Sequence, residues 1–276
     1  MSYPNFNRSQ WRLLIHESAD GASNMAIDQA IGDAVRTGRS LPTLRFYRWQ
    51  PACISLGQSQ SADLLDQSRC ATFGWQIVRR ATGGRTVLHA DELTYSIAIP
   101  QTDPRAKGGV LQSYQRLSLG LQAGLTLAGL APQRAQKDSA VSVPNDAACF
   151  NTASVYELLV AGRKLIGSAQ MRSRGLVLQH GSLPLRGDIT RLIDGLNLDA
   201  GQRLAAKQRL LAQAITLSEA MGCEINSADL VTHLTNGFAS ALNIDFVSSQ
   251  LSDDEQAHAA QIRAQKFANL AWTYRK

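Results

Sequence analysis

The sequence predicts a mixed α+β fold: mixed β-sheets packed with helices, and a helical C-terminal segment. Three observations predict it. Short alternating apolar stretches recur over the first two-thirds of the 276 residues, with helical patterns set among them. From Ile189 onward the pattern changes to helical periods. Hydrophobic residues form 44% of the chain and charged residues 18%, the balance of a globular protein with a substantial core.

Residues 11–16 alternate as a strand. Residues 18–35 read as a helix, with Met25, Ile27, Ile31 and Val35 near one stripe and Gly38 beyond its end. Two short strands follow at 43–49 and 53–56, separated by Gln50-Pro51. A brief helix passes through Leu64 and Leu65 and stops near Gly74. Extended structure resumes at 76–80, Ala81-Thr82-Gly83-Gly84 interrupts it, and strands at 86–89 and 93–99 are expected to pair around Ala90-Asp91-Glu92. Asp91 and Glu92 then read as a solvated turn. A longer helix is predicted over 112–130, then a loop over 131–148. Residues 155–160, 164–171 and 176–185 form a meander, with turns at Ala161-Gly162-Arg163 and Ser173-Arg174-Gly175. The helical stretch has breaks near Gly222-Cys223 and Asn243. Residues 198–276 read as a helical C-terminal segment packed on the rest of the chain.

Composition excludes several classes. No apolar run approaches the roughly 18 residues of a membrane-spanning helix. The N-terminus lacks the basic start and apolar stretch of a signal peptide, so a cytoplasmic address without membrane contact is expected. Cys53, Cys70, Cys149 and Cys223 form no C-x-x-C pair, and no H-E-x-x-H occurs, so no metal site is expected. Neither common nucleotide-binding glycine fingerprint is present. The net charge of +6 favours acidic partners. Scattered cations and 6% aromatics make a poor stacking platform, which argues against nucleic acid.

The densest local signal is Arg79-Arg80-Ala81-Thr82-Gly83-Gly84-Arg85. Adjacent glycines permit a tight turn that presents backbone N–H groups, and arginine forks suit phosphate or carboxylate. A hairpin turn with solvated arginines is the plain alternative. His89 reads either as a general base or as a hydrogen-bonded structural residue. Cys149 sits in a small, polar loop leading into a strand, and Lys164 follows fifteen residues later at the start of the next. An ammonium near a thiol favours the thiolate and can hold a developing oxyanion. Equally, a free cysteine packs as a small hydrophobe and a lysine beside a turn is solvated. Cys53, Cys70 and Cys223 read as packing residues.

Taken together, these blocks resemble the biotin/lipoate protein ligase and transferase superfamily. The run from Arg79 to His89, with Glu92-Leu93-Thr94-Tyr95-Ser96, is similar to its lipoate-side signature loop. Gly162-Arg163-Lys164-Leu165-Ile166-Gly167-Ser168-Ala169-Gln170 resembles the block carrying the family lysine, and Gln179-His180-Gly181-Ser182-Leu183 the strand after it. Cys149-Phe150 occupies the place of the C-F pair in the family's cysteine-dependent octanoyltransferases. The resemblance implies a catalytic domain over 1–197 that moves an octanoyl group from acyl carrier protein to a lysine of a lipoyl domain. Such an acceptor is a glycine cleavage H protein or a 2-oxoacid dehydrogenase E2 subunit. It implies Cys149 as nucleophile and Lys164 as holder of the acyl carbonyl. Arg79, Arg80, Thr82, Gly83, Gly84, Arg85, His89, Gly167, Ser168, Ala169, His180 and Gly181 are implied to bind substrate. The transferase branch needs no cofactor. The alternative branch, an ATP-dependent lipoate–protein ligase acting through lipoyl-AMP, would need ATP and Mg, with Cys149 incidental.

Overall fold

The computed structural model describes residues 4–134 and 157–275. Cys149, Phe150 and the loop around them lie outside the described residues.

Among the described residues the strands are β1 (Ser9–Ala19), β2 (Thr43–Trp49), β3 (Cys53–Leu56), β4 (Gln76–Arg79), β5 (Val87–His89), β6 (Glu92–Pro100), β7 (Gln133–Arg134), β8 (Leu158–Val160), β9 (Arg163–Ser173), β10 (Leu176–Pro184) and β11 (Ile244–Ser248). The helices are α1 (Gly21–Arg36), α2 (Gln67–Thr72), α3 (Val110–Leu127), α4 (Arg191–Asp194), α5 (Ala200–Gln213), α6 (Leu217–Met221), α7 (Ser227–Leu242), α8 (Asp253–Ile262) and α9 (Leu270–Thr273). The larger sheet runs β11-β1-β2-β6-β10-β9-β8-β7, and a smaller one runs β4-β3-β5. The predicted mixed-sheet α+β architecture is the observed one.

Helices cover both faces of the larger sheet. On one face Phe46, Tyr95 and Val177 pack with Leu117, Leu121 and Leu125 of α3 and with Leu230, Leu234 and Phe238 of α7. On the other, Leu14, Ala98, Leu176 and Leu178 meet Ile31 and Val35 of α1. This two-sided cover explains why β10 is buried along its whole length, polar residues included. Asp20 starts α1, its carboxylate accepting from the Ser23 amide at 3.0 Å, so strand β1 runs on to Ala19, past where the apolar stripe alone ends it.

Two sequence expectations are corrected. β5 and β6 do not pair with each other. β5 lies antiparallel to β3 in the smaller sheet, while β6 takes β2 and β10 as neighbours in the larger one. Nine-residue β6 is buried almost throughout and needs partners on both edges; three-residue β5 offers too little ladder to supply one. The chain therefore crosses between sheets at Ala90-Asp91, and the turn is only half solvated. Asp91 is exposed and accepts from Arg191 at 2.7 Å, but Glu92 is buried.

The stretch after 197 is mainly helical and also contributes a strand that its periodicity conceals. β11 runs parallel to β1, pairing Ser9 with Ile244 through Leu13 with Ser248. The predicted breaks are present: Gly222 and Asn243 both adopt left-handed backbone, with φ of 70° and 52°.

Candidate active site

The two sheets face each other across a cleft. Ser55 of β3, Val87 and His89 of β5 and Arg80 after β4 line one side, and Tyr47 and Trp49 of β2, Thr94 of β6, Gly167-Ser168-Ala169 of β9 and His180-Gly181-Ser182 of β10 line the other, with Met25 of α1. The antiparallel register of β9 and β10 sets Ser168 opposite Gly181 and Ala169 opposite His180, so two sequence blocks become one surface. Seven of the residues expected at a substrate site meet here: Arg80, His89, Gly167, Ser168, Ala169, His180 and Gly181.

The arginine loop is built differently from either sequence reading. Arg79 and Arg80 are both buried, not solvated. The Arg80 guanidinium donates to the carbonyls of Ser55, Gly83 and Arg85 at 2.9, 2.8 and 2.7 Å, and from Nε to Thr82 Oγ1 at 3.2 Å. It therefore sits inside the loop and sets its shape by satisfying its carbonyls. Gly84 has φ of +92°, and its carbonyl abuts Gly57, so the turn depends on glycine there. Arg79 points away from the cleft. It donates to the carbonyls of Gly57 and Gln60 at 2.9 and 2.5 Å, and to those of Thr273 and Arg275 at 2.9 and 3.1 Å. It thus binds the C-terminal tail to the loop. Arg85 is half-buried, and Gly83 and Gly84 are exposed at the loop's surface.

Thr82 ties this loop to the opposite wall. Its Oγ1 lies 2.7 Å from His180 Nε2. Burial lowers the pKa of His180, although Asp28 beside Nδ1 pulls it the other way. The neutral ring keeps a proton on Nδ1, towards Asp28, and Nε2 accepts from the threonine hydroxyl.

His89 stacks on Trp49 with ring centroids 3.9 Å apart and places Nε2 2.8 Å from Ser55 Oγ. Its Nδ1 is 3.4 Å from Glu92 Oε1 without the alignment of a hydrogen bond. Glu92 accepts from Thr94 Oγ1 at 2.6 Å and from Ser182 Oγ. Thr94 Oγ1 in turn accepts from Trp49 Nε1 at 2.9 Å. Trp49, Thr94, Glu92 and Ser182 thus form one hydrogen-bonded chain at this end of the cleft.

Lys164 is buried three residues before Gly167, and its Nζ lies 2.7 Å from Glu157 Oε1. Sequence reasoning took this lysine for a solvated group or a site residue and did not find its carboxylate. It also missed the hub under the cleft. Asp28 accepts from Arg45 at 2.7 Å, and from Tyr47 and Ser96 at 2.8 Å each. Burial alone would push its carboxyl up, but Arg45 and His180 overcome this and hold it at about 2. A signal existed: Asp28 falls inside the apolar stripe of α1, and Arg45 shares a face of β2 with Tyr47, positions where an unpaired charge is not tolerated. Of the described cysteines, Cys53 and Cys70 are buried, and burial pushes both thiols up, so they pack as predicted. Cys223 does not; it is exposed after the left-handed Gly222.

Two sheets facing each other in this way are the fold of solved lipoate protein ligases. The chain superposes with TM-score 0.82 on a bi-partite lipoate protein ligase from Thermoplasma acidophilum, at 20% identity over 97% of each chain. The chain belongs to the lipoyl protein ligase A/B catalytic domain family, whose sequence pattern matches residues 20–239. Its relatives include Octanoyltransferase LipM of an Exiguobacterium species, 37% identical over 96% of this chain and 98% of that one. Octanoyltransferase LipM of Clostridioides difficile is 38% identical over 90% and 93%.

Proposed function

We propose that the chain is an octanoyltransferase that takes octanoyl from acyl carrier protein and places it on a lysine of a lipoyl domain, through a thioester on Cys149. The observation that carries this reading is the likeness to LipM octanoyltransferases, 37% identity across 96% of the chain in one case. The blocks that resemble the family's substrate-binding residues, 167–169 and 180–181, line one cleft together with Arg80 and His89.

The donor arrives as a thioester and is already activated, so the reaction needs no ATP. The Cys149 thiolate attacks the octanoyl carbonyl carbon, and the carbonyl pair moves onto oxygen. The tetrahedral species collapses, the carrier thiolate leaves and takes up a proton, and an acyl-enzyme thioester remains. Lys164 holds the carbonyl oxygen as charge develops on it. A neutral acceptor lysine then attacks the same carbon, Cys149 leaves as thiolate, and the nitrogen loses a proton to become an amide. The high thiol pKa values of buried Cys53 and Cys70 disfavour either as the nucleophile. The net charge of +6 suits electrostatic capture of acidic carrier proteins.

The test is intact mass spectrometry after mixing the protein with octanoyl-acyl carrier protein in the absence of ATP, beside Cys149→Ala. An octanoyl adduct on the wild type alone, released by hydroxylamine, is the expected result. Acylation of a lipoyl domain only with ATP and free lipoate, and no adduct, would make the chain a ligase instead.

A further inference from the structure

The geometry points to Glu157 as a positioning residue of the transfer site, one that orients the Lys164 ammonium and keeps it charged for the acyl carbonyl. This rests on the reading of Lys164 given above. Glu157 directly precedes β8, and β8 turns into β9 at Ala161-Gly162, with φ of 50° and 75°. The hairpin ladder is not regular. Leu159 faces Lys164, but Leu158 faces Ile166, so β9 carries an extra residue at Leu165. A bulge of this kind re-aims the side chains beside it. Here Lys164 Nζ comes within 2.7 Å of Glu157 Oε1, with side-chain exposures of 1% and 4%. From the other edge, the Ile215 amide donates to the Lys164 carbonyl at 3.0 Å, and Ala214 bridges Lys164 in parallel. The backbone is therefore fixed on both sides, and beyond the bulge the same strand goes on to Gly167-Ser168-Ala169 in the cleft.

Rigid backbone does not orient a lysine, whose four-carbon stem rotates freely. Burial also works against its charge: an ammonium removed from water tends to lose its proton unless a carboxylate compensates it. A neutral amine would be a poor holder of an oxyanion. Glu157 meets both needs with one charge-assisted contact. It acts through the lysine and need not touch the substrate.

The test follows the charge of Lys164 and the acylation rate separately. The chain has 6 lysines, so [ε-13C]lysine gives a simple carbon spectrum in which Lys164→Met identifies the Lys164 signal. In Glu157→Gln the titration of that signal is expected to move to lower pH, and in Glu157→Asp to stay near the wild type. In single-turnover acylation by octanoyl-acyl carrier protein, Glu157→Gln is expected to slow adduct formation roughly 10- to 100-fold, more severely as pH rises. Glu157→Asp recovers most of the rate. In the Lys164→Met background, Glu157→Gln adds little, because the residue acts through the lysine. Should Glu157→Gln not fold, Glu157→Asp and the double variant, which leaves no orphan charge, carry the same comparison. An unmoved lysine titration overturns the proposal, as does a Glu157→Gln penalty equally large without Lys164. A wild type that accepts no octanoyl removes the transferase reading, while the titration still decides whether Glu157 governs the charge of Lys164.

Discussion

Arg45 donates to Asp28 at 2.7 Å, and both side chains are closed to solvent, 0% and 2% exposed. The pair joins α1 to the middle of the larger sheet directly beneath the cleft. Arg45 also donates to His16 Nδ1 at 2.9 Å and to Asn24 Oδ1 at 2.8 Å, and its guanidinium lies 3.8 Å from the centre of the Tyr47 ring. Each polar atom of the hub is matched by another, which is the condition for tolerating charge in an interior.

Asp28→Asn is therefore expected to destabilise the fold strongly, because it leaves the Arg45 cation uncompensated. A loss of about 3 to 5 kcal/mol is typical for breaking a buried pair from one side. Urea denaturation at pH 7 measures it; a loss below about 1 kcal/mol would show that the hub contributes little.

The same hub predicts how stability depends on pH. Burial, reinforced by Arg45, lowers His16 from 6.5 to about 4, so the unfolded chain binds this proton before the folded one does. Stability is present in full above pH 6.5 and is lost as pH falls towards 4. Asp28, held at about 2, adds a second loss from roughly pH 4 downwards, where the unfolded carboxylate protonates first. Urea midpoints at pH 7.5, 5 and 3.5 should fall in that order. His16→Gln should shrink the first step to the part that the lowered His180 contributes and leave the second, and equal midpoints across all three would refute the assignment.

The hub also marks the limit of what the sequence made legible. Strands β2 and β3 and the hairpin of β9 and β10 were readable because their boundaries are local: an alternating run, Gln50-Pro51, Ser173-Arg174-Gly175. The site blocks were readable as far as their own residues go, and Arg80, His89, His180 and the 167–169 run do meet in one cleft. What pairs with what was not readable. β11 is five residues whose strand character depends on β1, more than 230 positions away. The crossing between sheets at Ala90-Asp91 depends on which neighbours β5 and β6 find, and the partners of Asp28, Arg79 and Lys164 lie on other elements. Charges in apolar stripes signal such partners without naming them.

Helices α3 and α7 cross so closely that a methyl on Gly237 would stand 2.1 Å from the Gly124 backbone nitrogen. Backbone cannot yield as a side chain does. Gly237→Ala should cost about 1 to 3 kcal/mol, despite the better helix propensity of alanine. Gly201→Ala, in a helix where the added carbon meets nothing closer than 3.4 Å, is the control and should be neutral or stabilising. Thermal unfolding of the two variants decides it; similar midpoints would mean that the crossing relaxes at little cost.

Arg79 links the far C-terminus to the loop beside Arg80, and Trp272 Nε1 donates back to the Arg79 carbonyl at 2.9 Å. Deleting residues 270–276 removes several of the acceptors that Arg79 uses. Hydrogen exchange in the 79–85 loop should accelerate, and acyl-enzyme formation should slow even though none of the described residues among those deleted lines the cleft. Exchange unchanged in that loop would limit the tail to a local role.

A single side-chain bond closes the cleft over β10. Thr82 Oγ1 accepts from Arg80 Nε at 3.2 Å and donates its proton to His180 Nε2 at 2.7 Å, so the hydroxyl relays between the loop's internal cation and the opposite wall. Thr82→Val keeps the shape and removes both bonds, leaving a buried acceptor on His180 unpaired. A loss of about 1 to 3 kcal/mol is expected, and the part of it that falls on the transition state reduces kcat/KM by roughly tenfold or more. Thr82→Ser keeps the hydroxyl and should stay close to the wild type. Burial lowers the His180 pKa, which favours the neutral ring as acceptor; a protonated ring would reverse the bond, Nε2–H donating to Thr82 Oγ1. The penalty of Thr82→Val relative to Thr82→Ser should therefore persist as the pH is lowered. A Thr82→Val variant as close to the wild type as Thr82→Ser would assign Thr82 a packing role and leave the loop to be held by Arg80 alone.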